Sequence, residues 1–201
     1  GIVYVNTAAT GTNTGVSWAN AFTDLQAALT IVKDCAAATT IYVAEGTYYP
    51  TSGADRTIYF DIEYDVNIDG GFSPTNGAID LATRNATTYK TSLSGNIGNT
   101  SIATDNSIFI LRMSTTSGFI SINVILDGLT ITEGYDDTFI GLSPGIIIGR
   151  NVTSLINNCE ITNHFSVGGF GGAALHIEEA SIDEVITISN STFKNNTNGT
   201  S

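Results

Sequence analysis

The chain has 201 residues, of which 19 are acidic and 7 are basic, so its net charge is −12. This length suits one domain over 1–201, and 42% hydrophobic with only 13% charged residues excludes a disordered chain. A strongly acidic surface repels nucleic-acid backbones and anionic lipid, and no apolar run reaches the ~20 residues of a membrane helix. We therefore expect neither nucleic-acid binding nor membrane insertion.

One segment near the N-terminus has helical spacing. Its apolar residues recur at intervals of four and three, which places them on a single helix face. These residues are Trp18, Phe22, Leu25, Leu29 and Val32. Ser17 stands at the N-cap position, and Asp24 lies early enough to favour the helix dipole. The pattern predicts an amphipathic helix over 17–37 that covers the open end of a sheet or stack.

Strand signals recur after this segment. They fall at 40–43, 58–69, 108–112, 120–131, 145–148, 154–161, 173–177 and 185–193. The clearest is 58–69, where apolar residues from Phe60 to Ile68 alternate with polar residues from Asp61 to Asp69. This period of two predicts one strand with a buried face and an exposed face.

Three of these segments also repeat one another. Residues 127–132, 157–162 and 189–194 align with offsets of 30 and 32, and Ile131, Ile161 and Phe193 then face inward. Repeats of this length with short strands, Asn/Gly turns and no intervening helix predict a β-solenoid over 38–201. Each repeat is one coil, neighbouring coils lie about 4.8 Å apart, and turn asparagines hydrogen-bond between coils. An antiparallel sandwich is the alternative.

The chain also resembles a known group of proteins. The residues that carry the resemblance are 18–29 (WANAFTDLQAAL), 41–50 (IYVAEGTYYP), 70–72 (GGF), 91–95 (TSLSG), 171–174 (GGAA) and 193–196 (FKNN). The first four are similar to secreted proteins of the pectate-lyase-like superfamily, and the last two are similar to repeats of chlamydial polymorphic outer-membrane proteins, which are adhesins. The resemblance implies an all-β, right-handed parallel β-helix with an N-terminal capping α-helix, secreted or on the cell surface.

Enzymes of that superfamily combine acidic residues with a basic residue at one site. The candidates here are Asp136 and Asp137, the only Asp pair, with Arg150 brought near by stacking. If one carboxylate raises the pKa of the other, the pair suits acid–base chemistry. The alternative is a solvated loop. His164 and His176 are interpreted as structural.

Two acidic groups suggest calcium. Asp61, Glu63, Asp65 and Asp69 lie on one predicted strand face, about 6.5–7 Å apart, where carboxylates share a cation. The alternative is an exposed acidic face that keeps the chain soluble. A weaker second case is formed by Glu178, Glu179, Asp183 and Glu184. No cofactor other than Ca²⁺ is predicted.

Cysteines and glycosylation sequons add little. Cys159 lies at an apolar strand position, which indicates a buried free thiol; a bridge between Cys35 and Cys159 is the alternative. Six N-x-S/T sequons are candidate glycosylation sites on the surface. They begin at Asn85, Asn99, Asn151, Asn190, Asn195 and Asn198.

These observations favour a non-catalytic adhesin-like or structural protein of the extracellular surface. The alternative is a polysaccharide lyase or glycoside hydrolase. A third class is a glycan-binding module that uses Tyr48, Tyr49 or Tyr135. The last repeat has no cap in the sequence, so expected partners are the rest of a longer chain or other copies that stack end to end into fibres, together with glycans or a host surface.

Overall fold

A computed structural model describes residues 1–34, 39–115, 120–138, 143–167, 172–178 and 184–199. Cys35, Glu179 and Asp183 lie outside these ranges. The described residues form eighteen strands and one α-helix, α1 (Leu25–Asp34). Short 3₁₀ turns occur at Trp18–Asn20, Pro74–Asn76 and Ala103–Asp105.

The strands are short and follow one another closely. The first nine are β1 (Ile2–Val5), β2 (Thr40–Ala44), β3 (Gly46–Tyr48), β4 (Phe60–Ile62), β5 (Val66–Phe72), β6 (Thr91–Ser94), β7 (Leu111–Met113), β8 (Ile122–Asp127) and β9 (Leu129–Thr132). The remaining nine are β10 (Tyr135–Asp136), β11 (Ile146–Ile148), β12 (Val152–Asn157), β13 (Glu160–Thr162), β14 (Phe165–Ser166), β15 (Leu175–Ile177), β16 (Ile186–Ser189), β17 (Thr192–Lys194) and β18 (Thr197–Asn198).

Four sheets contain these strands, and every pairing between the described strands is parallel. In order of neighbours, the first sheet is β1-β2-β5-β8-β12-β16 and the second is β17-β13-β9-β6-β3. The third sheet is β15-β11-β7-β4 and the fourth is β10-β14-β18. We call β8 to β11 one rung and β12 to β15 the next, since each visits every sheet once.

The register between rungs is the one that the repeat predicts. Ile161 pairs with Ile131 on one side and with Phe193 on the other, which confirms the offsets of 30 and 32. The long strands predicted over 120–131, 154–161 and 185–193 are each broken. The breaks fall at Gly128, Asn158 and Asn190, whose φ angles are +73°, +53° and +50°. Gly and Asn tolerate this left-handed conformation better than other residues.

The interior between the sheets is filled by the inward residues of successive strands. Among the fully buried side chains are Phe60, Ile62, Ile68, Leu93, Leu111, Met113, Leu126 and Leu129. These side chains belong to one continuous hydrophobic cluster. At one end of the cluster α1 buries Leu25, Ala28, Leu29 and Val32 and contacts β1, β2 and β4. Burial of these apolar surfaces is the main favourable contribution to folding.

The helix is shorter than the sequence predicts. Ser17 caps only the 3₁₀ turn, by accepting the N–H of Asn20, and Ala21 is extended with φ −58° and ψ +151°. Asp24 supports the start of α1 instead, since its Oδ1 accepts the Gln26 N–H at 2.9 Å. The prediction of one helix from residue 17 is therefore wrong. The backbone at 21–23 is used for pairing with a strand, which a helix does not allow.

That pairing closes the outer edge of β1. Tyr4 N–H donates to Gly15 O at 2.9 Å, Phe22 N–H to Tyr4 O at 2.9 Å, and Asn6 N–H to Phe22 O at 2.7 Å. Trp18 packs on the outer side of the first sheet, with ring centroids 4.9 Å from Tyr4. The segment 14–22 thus occupies backbone groups that an edge strand otherwise leaves open.

Candidate functional site

A cleft of about 450 Å³ lies beside the fourth sheet, where the loop between β6 and β7 meets β10. Its lining includes Asn96, Thr100 and Ser101 from the loop and Glu133, Tyr135, Asn163 and Phe165 from two successive rungs. The volume is within the range of roughly 300–1,000 Å³ that is typical of ligand sites. Tyr135 is also one of the three tyrosines that the sequence suggested for glycan contact.

One wall of the cleft is aromatic. Tyr135 and Phe165 are paired in register on β10 and β14, and their rings stack with centroids 4.9 Å apart and an interplanar angle of 17°. The Arg56 guanidinium lies over the Tyr135 ring, 5.9 Å from its centroid. Both rings are half-buried. The wall is therefore fixed by contacts within the protein rather than formed by mobile side chains.

Another part of the lining is polar. Glu133 has a φ of +64°, and its carboxylate accepts a hydrogen bond from Ser94 Oγ at 2.6 Å. Asn163 has a φ of +59°, and its Oδ1 accepts from Asn195 Nδ2 at 3.3 Å. The two residues follow Thr132 and Thr162, which pair in register. Successive rungs thus present a carboxylate and an amide side by side.

The predicted acid pair is not formed. Asp136 is fully buried, and its Oδ1 accepts the backbone N–H and the hydroxyl of Thr138. Asp137 is partly exposed and forms an ion pair with Arg56, with 2.9 Å between Asp137 Oδ1 and Arg56 Nη2. Consecutive strand residues point to opposite sides, so the carboxylates diverge. Arg150 is exposed after β11, and the cation at Asp137 is Arg56.

His164 is part of the packing between rungs. Its Nδ1 accepts the Gly134 N–H at 3.0 Å, and its Nε2 lies 3.0 Å from Ile131 O. The neutral ring with its proton on Nε2 satisfies both contacts. A Cβ on Gly134 or Gly145 would lie 2.9 or 3.1 Å from the ring. Burial lowers the pKa of His164 to about 4, which agrees with a structural role.

Three polar residues and one buried isoleucine share a register position on the third sheet. In register across β4, β7, β11 and β15 are Asp61, Arg112, Ile147 and His176. Asp61 Oδ1 is buried without a partner among the described residues. Burial raises the pKa of Asp61, Glu63 raises it further, and Arg112 opposes this shift. The Tyr59 side chain raises the pKa of the Arg112 guanidinium.

The acidic row predicted over 58–69 is divided between two sheets. Asp61 lies on β4 in the third sheet, and Asp69 lies on β5 in the first sheet. The chain leaves one strand after Ile62 and enters the next at Val66, so the prediction of a single strand is wrong. The buried alternation continues only because each new strand again directs its apolar residues inward.

The carboxylates of this row have separate surroundings. Glu63 pairs with Lys33, and Asp65 Oδ1 accepts the Asn123 N–H at 2.7 Å. Asp69 is buried, which raises its pKa. Across the described ranges, no three His, Cys, Asp or Glu side chains are grouped so that they could hold a metal ion. Calcium binding stays a prediction.

Cys159 is a buried free thiol in the structure, as the sequence indicates. Its Sγ lies 3.2 Å from Asn157 O and 3.6 Å from Leu126 O, and burial raises its pKa to about 11. Because the thiolate is the reactive form, we expect iodoacetamide to leave Cys159 unmodified in the folded chain and to alkylate it fully in urea. Peptide mass spectrometry measures both results; rapid alkylation without urea contradicts the buried placement.

The remaining sequence candidates are mostly on the surface. Asn151 is half-buried, whereas the other sequon residues are exposed. The exposed group comprises Asn85, Asn99, Asn190, Asn195 and Asn198. Tyr49 is exposed, but Tyr48 is buried and donates to Ala44 O at 3.0 Å, so it is not available for a glycan. Use of the sequons stays a prediction.

Sequence reasoning missed the residues that share these sites with the candidates. Arg56 and Arg112 stand in segments whose spacing differs from the 30–32-residue repeat, so no alignment placed them beside Asp137 or Asp61. The proximity of Glu133 and Asn163, in contrast, could have been predicted from the sequence. They follow the aligned segments at the same offset, which is enough to predict that they are neighbours.

No family model matches the chain, and neither a curated protein nor a solved structure matches it. The resemblance to pectate-lyase-like and polymorphic outer-membrane proteins stays a prediction. In the part of the chain that the structure covers, no helix has the length and apolar character needed to cross a bilayer.

Proposed function

We propose that the chain is a right-handed parallel β-helix with an N-terminal helical cap, and that it belongs to a secreted or cell-surface protein. The parallel pairing in all four sheets and the constant register between rungs support this architecture. A right-handed path is the usual one for connections between parallel strands. The packing of α1 over one end of the core supports the cap.

Its role in this proposal is adhesive or structural and does not involve catalysis. The observation that carries the proposal is that each acid or base candidate is engaged by a neighbouring group of the protein. Asp136 accepts from Thr138, Asp137 pairs with Arg56, and His164 joins two rungs. A catalytic carboxylate or imidazole needs access to substrate, whereas Asp136 and His164 are enclosed.

The surface supports the same role. Side-chain amides hydrogen-bond along the stack, from Asn190 Nδ2 to Asn157 Oδ1 at 2.9 Å and from Asn157 Nδ2 to Asp127 Oδ2 at 2.7 Å. Such ladders make a stiff surface that is polar and is held together partly by uncharged groups. A stiff surface suits a protein that holds a binding site away from a cell. Inward residues on the last described strands, such as Ile188 and Phe193, are exposed and suit contact with a further rung or another copy.

The test is adhesion measured together with cleavage. Fluorescent beads coated with the chain are washed over immobilised epithelial cells, with beads carrying heat-unfolded chain as the control. We expect selective retention of the beads with folded chain. In parallel, polygalacturonate and neutral polysaccharides are incubated with the chain, and we expect no new reducing ends. Retention no better than that of the control would contradict the adhesive role.

One observation favours the alternative, a polysaccharide lyase or glycoside hydrolase. Asp61 combines a raised pKa, a buried oxygen without a described partner and a position in register with Arg112, which are features of acid–base sites. Asp136 Oδ2 is likewise buried without a partner among the described residues, but Asp136 is fully enclosed, so the alternative is assigned to Asp61 and Arg112 rather than to Asp136, Asp137 and Arg150. Release of reducing ends that disappears in Asp61→Asn, but persists in Asp137→Asn, would replace the proposed role with this one.

A further inference from the structure

The cleft beside Tyr135 has an apolar side that suits an amphipathic ligand. The stacked rings of Tyr135 and Phe165 both line it. Phe165 covers one face of the Tyr135 ring and the Arg56 guanidinium lies over the ring, so a ligand makes its apolar contact mainly with the ring edges of this stacked pair. A pyranose ring has a face of C–H groups and a rim of hydroxyls, and a rigid aromatic wall beside polar side chains matches both.

Several polar groups in the cleft are available to a ligand. Among the described residues, no hydrogen bond engages Tyr135 Oη, Asn163 Nδ2, Thr100 Oγ1 or Ser101 Oγ. Together they offer donors and acceptors, which hydroxyl groups need because each both donates and accepts. The Glu133 carboxylate accepts from Ser94 Oγ at 2.6 Å and from Asn96 Nδ2 at 3.5 Å, and its four lone-pair sites leave further acceptor capacity.

Asn106 provides a second, independent observation. This residue lines the cleft and is only 5% exposed, and its Nδ2 donates to Glu133 O at 2.9 Å. Its Oδ1 has no hydrogen-bond partner among the described residues. A buried amide oxygen without a partner costs roughly 1–3 kcal/mol. A hydroxyl donor brought by a ligand or a water would remove this cost.

The charges around the cleft select against an anion. Glu133 is the charged residue in the described lining, and the chain as a whole has a net charge of −12. The Arg56 guanidinium over Tyr135 is already engaged by the Asp137 carboxylate and by the carbonyls of Asn106 and Tyr135. An anionic ligand would meet a carboxylate without an available cation.

We propose that this cleft binds an uncharged sugar residue, such as the end of a neutral glycan. The inference rests on the proposed adhesive role and deepens it, because it names the class of molecule to which the protein adheres and the surface that makes the contact. In this arrangement the sugar packs on the Tyr135–Phe165 wall, and its hydroxyls bond to Asn163, Glu133 and the loop hydroxyls.

Saturation-transfer NMR on the full chain tests this proposal with glucose, galactose, mannose and N-acetylglucosamine as neutral probes and galacturonate as the anionic probe. We expect transfer to at least one neutral sugar and none to galacturonate. Tyr135→Phe keeps the stacked ring and removes only the hydroxyl, so it should weaken binding by about 3- to 10-fold. Asn163→Asp replaces a donor by a charge and should abolish transfer.

Two further variants separate binding in the cleft from binding elsewhere. Tyr49→Phe removes the hydroxyl of an exposed tyrosine outside the cleft and should leave transfer unchanged. Glu133→Gln keeps the shape but removes the charge, so it should allow galacturonate to bind, which a purely structural role of Glu133 does not explain.

Absence of transfer to all four neutral sugars, or equal transfer in wild type, Tyr135→Phe and Asn163→Asp, overturns the inference. The bead experiment tests the adhesive role separately from this binding experiment. Bead retention without sugar binding in the cleft overturns only the sugar inference, whereas sugar binding without bead retention overturns only the adhesive role.

Discussion

Lowering the pH from about 7 to about 4.5 is expected to reduce the free energy of unfolding by roughly 2 kcal/mol through His164 alone. The folded chain holds the pKa of His164 at about 4 by burial, whereas the unfolded residue titrates near 6.5. Between these values the unfolded chain binds one more proton than the folded chain. Stability from this source is therefore complete above about pH 6.5, falls as the pH drops through the window, and changes no further below about pH 4.

The structure also explains what protonation does to the contact. A proton on Nδ1 would face the Gly134 N–H, so that two donors oppose each other. Burial is the main cause of the lowered pKa of His164, and the hydrogen bond to the Ile131 carbonyl opposes it. Protonation of His164 therefore favours the unfolded chain, in which the charged ring is solvated.

Urea unfolding followed by Trp18 fluorescence at both pH values measures this effect. His164→Asn lowers stability at neutral pH but removes the titration, so the gap between wild type and variant should shrink by about 2 kcal/mol at the lower pH. His176→Asn is the matched control and should retain the His164-dependent loss. Equal losses in wild type and His164→Asn would show that His164 does not titrate differently on folding.

Gly145→Ala is expected to destabilise the fold by about 3 kcal/mol. A Cβ at this position would lie 2.2 Å from the Ala174 carbonyl oxygen and 3.1 Å from His164 Cδ2. The same carbonyl accepts the Ile146 N–H at 3.0 Å, so the two rungs cannot separate without losing that hydrogen bond. The added methyl group therefore strains the backbone rather than displacing a flexible side chain.

Gly53→Ala is the matched control for this substitution. The atom nearest to its Cβ would be Thr51 Oγ1 at 3.5 Å, which is an ordinary contact. We expect its free energy of unfolding to stay within about 0.5 kcal/mol of wild type, because a compatible Gly→Ala change mainly restricts the unfolded chain. Thermal unfolding followed by circular dichroism compares the two, and similar melting temperatures would contradict the close approach at Gly145.

The register of the later rungs could be predicted from the sequence because each residue stacks directly on its equivalent. Ile131, Ile161 and Phe193 share a position in the repeat and a position in the second sheet. The breaks between strands were harder to predict, since apolar residues continue across them. The breaks are marked in the sequence by the aligned residues Gly128 and Asn158. Their positive φ angles turn the chain without interrupting its hydrophobic pattern.

The register of the strands before β8 could not be predicted in this way, because long loops separate these strands. Asp61 and Arg112 pair in register although they are 51 positions apart, since 73–90 and the loop after β6 lie between them. The predicted start of the helix was wrong for a different reason. Local periodicity favoured a helix from Ser17, but the hydrogen bonds that Phe22 makes with β1 are a tertiary contact, which no local pattern records.

The closed outer edge of β1 has a consequence for aggregation. An exposed edge of parallel strands is a template on which unfolded chains or other sheets can add, as in amyloid growth. At the β1 edge of the first sheet, any such addition must first displace segment 14–22 and break the three backbone hydrogen bonds that it makes with β1. The segment thus acts as a gatekeeper, and it raises the barrier to recruitment on the side of the stack where α1 lies.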